Sequence, residues 1–307
     1  MQRLIKSTPI PISGLMLGLA GLGNLIAVYG SYYKSAAGFI SSVIALIIVF
    51  RFLFDFENCR CDLENPIVSS VILTFPMALM LLSTYIIPIN HQVAQYIWYS
   101  GIIIHAAALI LFSYKFLRNF NIKKVFPSYF IVYVGIVVGS VTAPAFDNII
   151  LGKILFYFGF ASYMILLPIV FYRVFKIGGI KEPALPTISI FTAPAGLCLA
   201  GYMSSFADKN IFLLSWLVFI TLVSIIAVTA YLPKMLSLKF YPSYSALTFP
   251  FVITAVGLKL TNKYLSSIYS LEFLKYPALA TEILSIIMVL YVLIKYSAFL
   301  LDTSTKK

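Results

Sequence analysis

Three short runs set a hydroxyl two residues before a proline inside long apolar stretches: Thr74-Phe75-Pro76, Thr192-Ala193-Pro194 and Thr248-Phe249-Pro250. The chemistry open to these residues is not bond making. Proline lacks a backbone donor and collides with the carbonyl one turn earlier, so it breaks a helix. In hydrocarbon each freed backbone group costs several kcal/mol unless a hydroxyl, a neighbouring helix or a water-filled space receives it. One such kink is an ordinary packing device. Kinks at matching positions in three segments favour a shared axis, with Phe249 in the path along it. The groups that a proline frees are carbonyls, which repel anions. If the cargo is an anion, the kinks shape the path and binding falls to hydroxyl donors: Ser13, Thr74, Thr192, Ser245 and Thr248.

Groups that could catalyse are sparse. The two histidines are His91, in a loop, and His105, within an apolar segment where a hydrogen-bonded helix contact is expected. No paired carboxylates, His-Glu-x-x-His run or phosphate-cradling glycine loop is present, so an enzyme is not expected. Cys59-Arg60-Cys61 has no neighbouring histidine and reads as two reduced thiols in a loop; neither metal nor cofactor is expected. Glu282 lies inside an apolar segment, where an acid is expensive; an ion pair with Lys275, Lys259 or Lys153 is expected. Asp147 and the acidic run Asp55 to Glu64 read as solvated. The basic residues are scattered over connections, with no nucleic-acid signature.

The segments that must position these residues follow from composition. The 307 residues are 61% hydrophobic and 10% charged, with mean hydropathy +0.99. A soluble domain carries about 25% charged residues, so this is a membrane protein. Its net charge of +12 sits in loops and ends and attracts anions and anionic lipid headgroups. Ten segments are long enough to cross a bilayer: 9–31, 36–54, 66–87, 96–116, 127–146, 150–173, 185–206, 211–232, 242–260 and 276–298. The first follows a short basic start and is too long for a cleaved signal. Counted over connections and ends, 16 Lys and Arg fall on one side and 6 on the other, which puts both termini in the cytoplasm of a cell-membrane protein.

The odd segments open near residues 9, 66, 127, 185 and 242, offset by 57, 61, 58 and 57. Each opens beside a proline: Pro9 and Pro11, Pro66, Pro127, Pro183 and Pro186, Pro242; three carry a second at Pro76, Pro194 and Pro250. The chain therefore reads as a single all-α transmembrane domain of five repeated hairpins. Odd segments hold most of the glycines, among them Gly14, Gly18, Gly196 and Gly257, while even segments are smoother and greasier. That contrast suggests an inner ring of broken helices inside an outer ring of regular ones.

With the Thr-Phe-Pro of the ninth segment, Ala193-Pro194-Ala195-Gly196-Leu197-Cys198 in the seventh, and Phe126-Pro127-Ser128-Tyr129 leading into Val141-Thr142-Ala143-Pro144, the whole chain resembles the tellurite-resistance/dicarboxylate transporter family. That family includes the plant guard-cell slow anion channels. The resemblance implies ten helices in five pseudo-symmetric hairpins, a trimer with one pore per subunit, and a pore closed by a phenylalanine of the ninth helix, here Phe249. The long regulatory tails of the plant members are not expected here. The remaining residues expected to line the pore or kink its walls are Pro11, Ser13, Gly14, Thr74, Phe75, Pro76, Pro127, Thr192, Pro194, Ser245, Thr248 and Pro250; for Phe75, core packing is the competing role. The function expected is passive passage of small monovalent anions such as chloride or nitrate. The alternatives are a proton-coupled carrier of C4-dicarboxylates such as malate, or of oxyanions such as tellurite, and a non-transporting scaffold or sensor.

Overall fold

A computed structural model of the chain describes residues 2–118 and 120–305; Lys306 and Lys307, counted above at the C-terminal end, lie outside the described residues. Among the described residues every regular element is helical. In chain order the apolar helices are α1 (Ile12–Leu25), α2 (Ser31–Phe54), α3 (Pro66–Ile86), α4 (His91–Leu117), α5 (Tyr129–Val134, then Val137–Phe146), α6 (Ile149–Ile177), α7 (Glu182–Ser205), α8 (Ile211–Leu236), α9 (Pro242–Tyr269) and α10 (Lys275–Thr305). Eight of these are long and apolar enough to cross a membrane; α1 and α5 are shorter. Pro9 and Pro11 separate a short helix, Gln2–Ser7, from α1, which has only 14 residues where 9–31 was expected. The fifth segment, expected over 127–146, is interrupted at Gly135 and Ile136. The acidic run after α2 is not a plain loop: Phe56–Asp62 is helical, and Asp62 pairs with Arg51 at 2.6 Å.

Three of the five even helices start on asparagine. The side-chain oxygens of Asn90, Asn148 and Asn210 accept from the amides of Val93, Leu151 and Leu213, capping α4, α6 and α8. Odd helices are broken, and the break precedes the proline rather than falling on it. α3 pauses at Ile72 and Leu73 and resumes at Thr74. α7 runs as a 3-10 helix to Phe191 and as an α-helix from Thr192. α9 is 3-10 to Leu247, leaves helical geometry at Thr248 (φ −107°, ψ −85°), and is α-helical from Phe249. Pro76, Pro194 and Pro250 thus sit in the first turn of a resumed helix, where an amide would lack an intrahelical partner anyway.

The odd helices pack in a closed circuit: α1 on α3, α3 on α5, α5 on α7, α7 on α9, and α9 back on α1. Each even helix covers one seam of that circuit. α2 lies over α1 and α3, α4 over α3 and α5, α6 over α5 and α7, α8 over α7 and α9, and α10 over α9 and α1. Burial follows: within the most apolar window, 61–83% of residues are buried in α3, α7 and α9, against 17–33% in the even helices. The exposed residues of the even helices are large and apolar, such as Phe39, Ile103, Ile165, Phe219 and Ile294, as a lipid-facing surface requires.

Close approach inside the circuit depends on glycine. A Cβ on Gly18 would lie 2.5 Å from Cβ of Thr248, and one on Gly196 would lie 2.7 Å from Cα of Thr254. Neither neighbour can yield without moving α9. Gly196→Ala is expected to destabilise the fold by about 1–3 kcal/mol through overpacking. A fall in melting temperature and loss of a single chromatographic peak in detergent would report it, while the exposed Ser162→Ala should match the parent.

Candidate functional site

All five seams of the inner circuit carry a hydroxyl bridge. Thr74 Oγ1 donates to Ser13 Oγ at 2.8 Å between α3 and α1. Ser70 Oγ donates to Ser128 Oγ at 2.6 Å where α3 meets the start of α5. Ser140 and Ser205 share a hydrogen bond of 2.9 Å between α5 and α7. Thr192 and Thr254 share one of 2.7 Å between α7 and α9, where Ser189 Oγ also donates to the Ala246 carbonyl at 2.6 Å. Thr248 Oγ1 reaches the Gly14 carbonyl at 3.0 Å, joining α9 to α1. The same hydroxyls lie near carbonyls exposed at the breaks, Thr74 at 2.7 Å from Val71 O and Thr248 at 2.7 Å from Ser245 O. The carbonyls at the breaks of α3 and α9 meet hydroxyls, the partners that the threonine before each proline offers. One expectation is corrected. The hydroxyls of Ser13, Thr74, Thr192 and Thr248 are committed to the protein and are not donors held ready for an anion. Ser245, buried against Gly14, is the only one of the five without a hydrogen bond.

Three cavities follow one another along the inner helices in the same chain direction. The first, about 710 Å³, lies at their N-terminal ends, beside Pro11, Val68, Phe126, Pro183 and Pro242. The second, only about 40 Å³, is bordered by all five: Gly14 of α1, Thr74 of α3, Phe130 and Gly135 of α5, Pro194 of α7, and Ser245, Phe249 and Pro250 of α9. The third, about 390 Å³, lies further along, beside Asn24, Leu81, Val141 and Val256. Phe249 borders both the second and the third, and is 5% exposed. Its ring rests near Gly21, where a Cβ would lie 3.4 Å from ring carbons.

Of the residues singled out from sequence, Gly14, Thr74, Pro194, Ser245, Phe249 and Pro250 meet at the narrow cavity, and Pro11 borders the wide one. Ser13, Pro76, Pro127, Thr192 and Thr248 are buried in the packing behind the walls. Phe75 is half-buried and packs on the core without bordering these cavities. Sequence reasoning missed Phe130, Val134 and Leu197, which complete the narrow wall. Their apolar type and helical spacing match every other core residue, so no local signal separates them.

No charged residue borders the narrow cavity, whereas both wide ones are basic. Lys123, Lys124, Arg173 and Lys181 surround the first, and Lys34 borders the third, its ammonium 4.8 Å from the Tyr85 ring centroid. The titratable groups inside the helices are tied up structurally. Glu282 pairs with Lys259 at 2.7 Å and receives Tyr29 Oη at 3.3 Å, and His105 Nε2 lies 3.0 Å from the Val132 carbonyl. Asp147 is exposed, at a left-handed turn ending α5.

A family model described as SLAC1, voltage-dependent anion channel, matches residues 8–296. No curated protein matches the chain.

Thr248 links the break in α9 to α1. Thr248→Val keeps the shape and removes the donor, leaving the Gly14 and Ser245 carbonyls without it. Hydrogen bonds between helices in membranes average about 0.6 kcal/mol. The expected result is a modest but measurable fall in melting temperature in detergent, larger than that from Ser42→Ala, whose hydroxyl bonds only within α2.

Proposed function

The chain belongs to the SLAC1 voltage-dependent anion channel family, a family of transport proteins rather than enzymes, and on that premise we propose that it is a passive channel for small monovalent anions with Phe249 as its gate. In this reading ten helices form five pseudo-symmetric hairpins, the inner circuit encloses the pore, and the three cavities are its two mouths and its throat. The observation that carries it is the position of Phe249, bordering both the throat and the far mouth while being almost wholly buried. With that ring in place the two spaces are separated by one side chain.

Charge supports the same reading. Lysines and an arginine at the mouths lower the entry barrier for an anion. A throat without charge avoids holding the ion, and conduction needs binding weak enough for release. The throat volume of about 40 Å³ leaves room for only about one water, so an entering ion sheds most of its hydration. Weakly hydrated anions such as nitrate then pass more readily than fluoride. A carrier of dicarboxylates would present Arg or Lys to clamp two carboxylates, and the throat has neither. The excess of Lys and Arg on one side supports cytoplasmic termini, with the mouth around Lys123, Lys124, Arg173 and Lys181 on the cytoplasmic side. A trimer with one pore per subunit follows the family resemblance.

Purified protein in planar bilayers tests this directly. Phe249→Ala is expected to raise conductance about tenfold, equivalent to ~1.4 kcal/mol off the barrier, with nitrate more permeant than chloride and chloride more than fluoride from reversal potentials. Unchanged currents from a folded variant would remove Phe249 as the gate. Equal permeability of fluoride and nitrate would remove the dehydration argument, and uphill uptake driven by a pH gradient would replace the channel with a carrier.

A further inference from the structure

The wide basic mouth holds more than a diffuse field needs. Lys123 and Lys124 reach it from the connection between α4 and α5, Arg173 from the end of α6, and Lys181 from the connection to α7. One carboxylate borders the space, Glu64, and it is engaged by Lys115 at 2.6 Å. Among the described residues none of the ion pairs involves the four mouth cations.

Arg173 is the informative member. It is 4% exposed, yet its guanidinium meets only carbonyls: Nε and Nη2 donate to Lys123 O at 3.2 and 3.1 Å, and Nη1 donates to Gly178 O. A buried cation without a counter-ion is expensive, and these carbonyls fix its position without neutralising it. The backbone is distorted to put it there. The last turn of α6, Tyr172–Ile177, is a π-helix, a form that gathers at functional sites. Gly178 and Gly179 follow at φ +63° and +70°, values that favour glycine, and return the chain so that Lys181 faces the same space. The remaining walls are partly aromatic, with Phe116, Phe126 and Tyr241, and the Arg173 guanidinium lies 5.8 Å from the Phe126 ring centroid.

We propose that this mouth is a binding site for nucleotide-class polyphosphates, with the phosphate chain among Lys123, Lys124, Arg173 and Lys181 and the base against the aromatic wall. The size fits: about 710 Å³ is the volume of a pocket for a drug-sized ligand. The throat beyond it, about 40 Å³, admits no such molecule. A nucleotide held there stops in the mouth and obstructs smaller anions behind it. The site stands whether or not the protein conducts, because the cations, the cavity and the aromatic wall are independent of Phe249.

The test uses full-length protein in detergent and ATP as the probe, with binding measured by calorimetry at physiological salt. ATP should bind, AMP should bind at least about tenfold more weakly for want of two phosphates, and adenosine should not bind measurably. Lys124→Ala combined with Lys181→Ala should weaken ATP binding at least about tenfold. These exposed lysines are chosen because Arg173→Ala removes a buried group and can cost the fold. Lys34→Ala, at the opposite mouth, should leave ATP binding as it was. In bilayers ATP should reduce anion current from one chamber only. Absence of ATP binding to monodisperse protein, equal binding of ATP and adenosine, or equal loss from Lys34→Ala and the paired lysine variant would overturn the proposal. Binding without any anion current would sink the channel reading and leave this site in place.

Discussion

A helix can be interrupted inside a bilayer only where something other than lipid takes up its backbone, and here that duty falls on serine and threonine at each seam between neighbouring broken helices. Five seams, from Ser13–Thr74 round to Thr248–Gly14, close the inner circuit with hydroxyl contacts. In hydrocarbon no water is present to replace them. The glycines have a complementary role. A hydroxyl spans only about 3 Å, so the backbones it joins must come close. Gly14 and Gly18 admit Ser245 and Thr248, and Gly196 and Gly257 bring α7 against α9. The outer helices then need little sequence of their own beyond grease and, in α4, α6 and α8, an asparagine cap, since each covers one seam.

This division explains how the axis is lined. Because most of the hydroxyls are taken up at the seams, the narrow cavity is lined chiefly by Leu17, Val71, Met77, Phe130, Val134 and Leu197 with the ring of Phe249, and only Thr74 and Ser245 add hydroxyls to its wall. The same contacts that hold the circuit together make its throat apolar. Charge accordingly collects at the two ends, where connections reach water, and not between them.

Much of this was legible in the chain. The offsets of 57 to 61 residues and the proline beside each odd opening anticipate the alternation of odd helices inside the circuit and even helices outside it. The contrast between glycine-bearing odd segments and greasy even ones separates the two rings. What was not legible depends on partners far apart in sequence. Thr74 and Thr248 look like free donors until Val71, Ser13 and Gly14 are brought beside them. The proline runs look like kinks at proline, whereas the chain ahead of Pro194 and Pro250 is wound as a 3-10 helix, a choice of winding that apolar content does not encode. Arg173 reads in sequence as one more positive-inside residue; only the π-helical turn and the two left-handed glycines reveal it as a buried cation.

The two ends of the path answer different demands, and the fold separates them by placing the resumed α-helices beyond the break. Upstream of it, α7 and α9 are narrow 3-10 helices; the α4–α5 connection brings in Lys123 and Lys124, the last turn of α6 Arg173, and the short α6–α7 connection Lys181, so this cavity is wide and charged. At the break the helices widen to α geometry and Phe249, the first residue of the resumed α9, meets the axis. A charged side chain at that position would have no water to solvate it and would hold a passing counter-ion or repel a like one. The Phe249 ring lies against Gly21, and as the proposed gate it would block by volume, with no hydrogen bonds to exchange when it rotates. In the proposed reading, an apolar plug between basic mouths lets electrostatics decide which ions arrive while sterics and dehydration decide which pass.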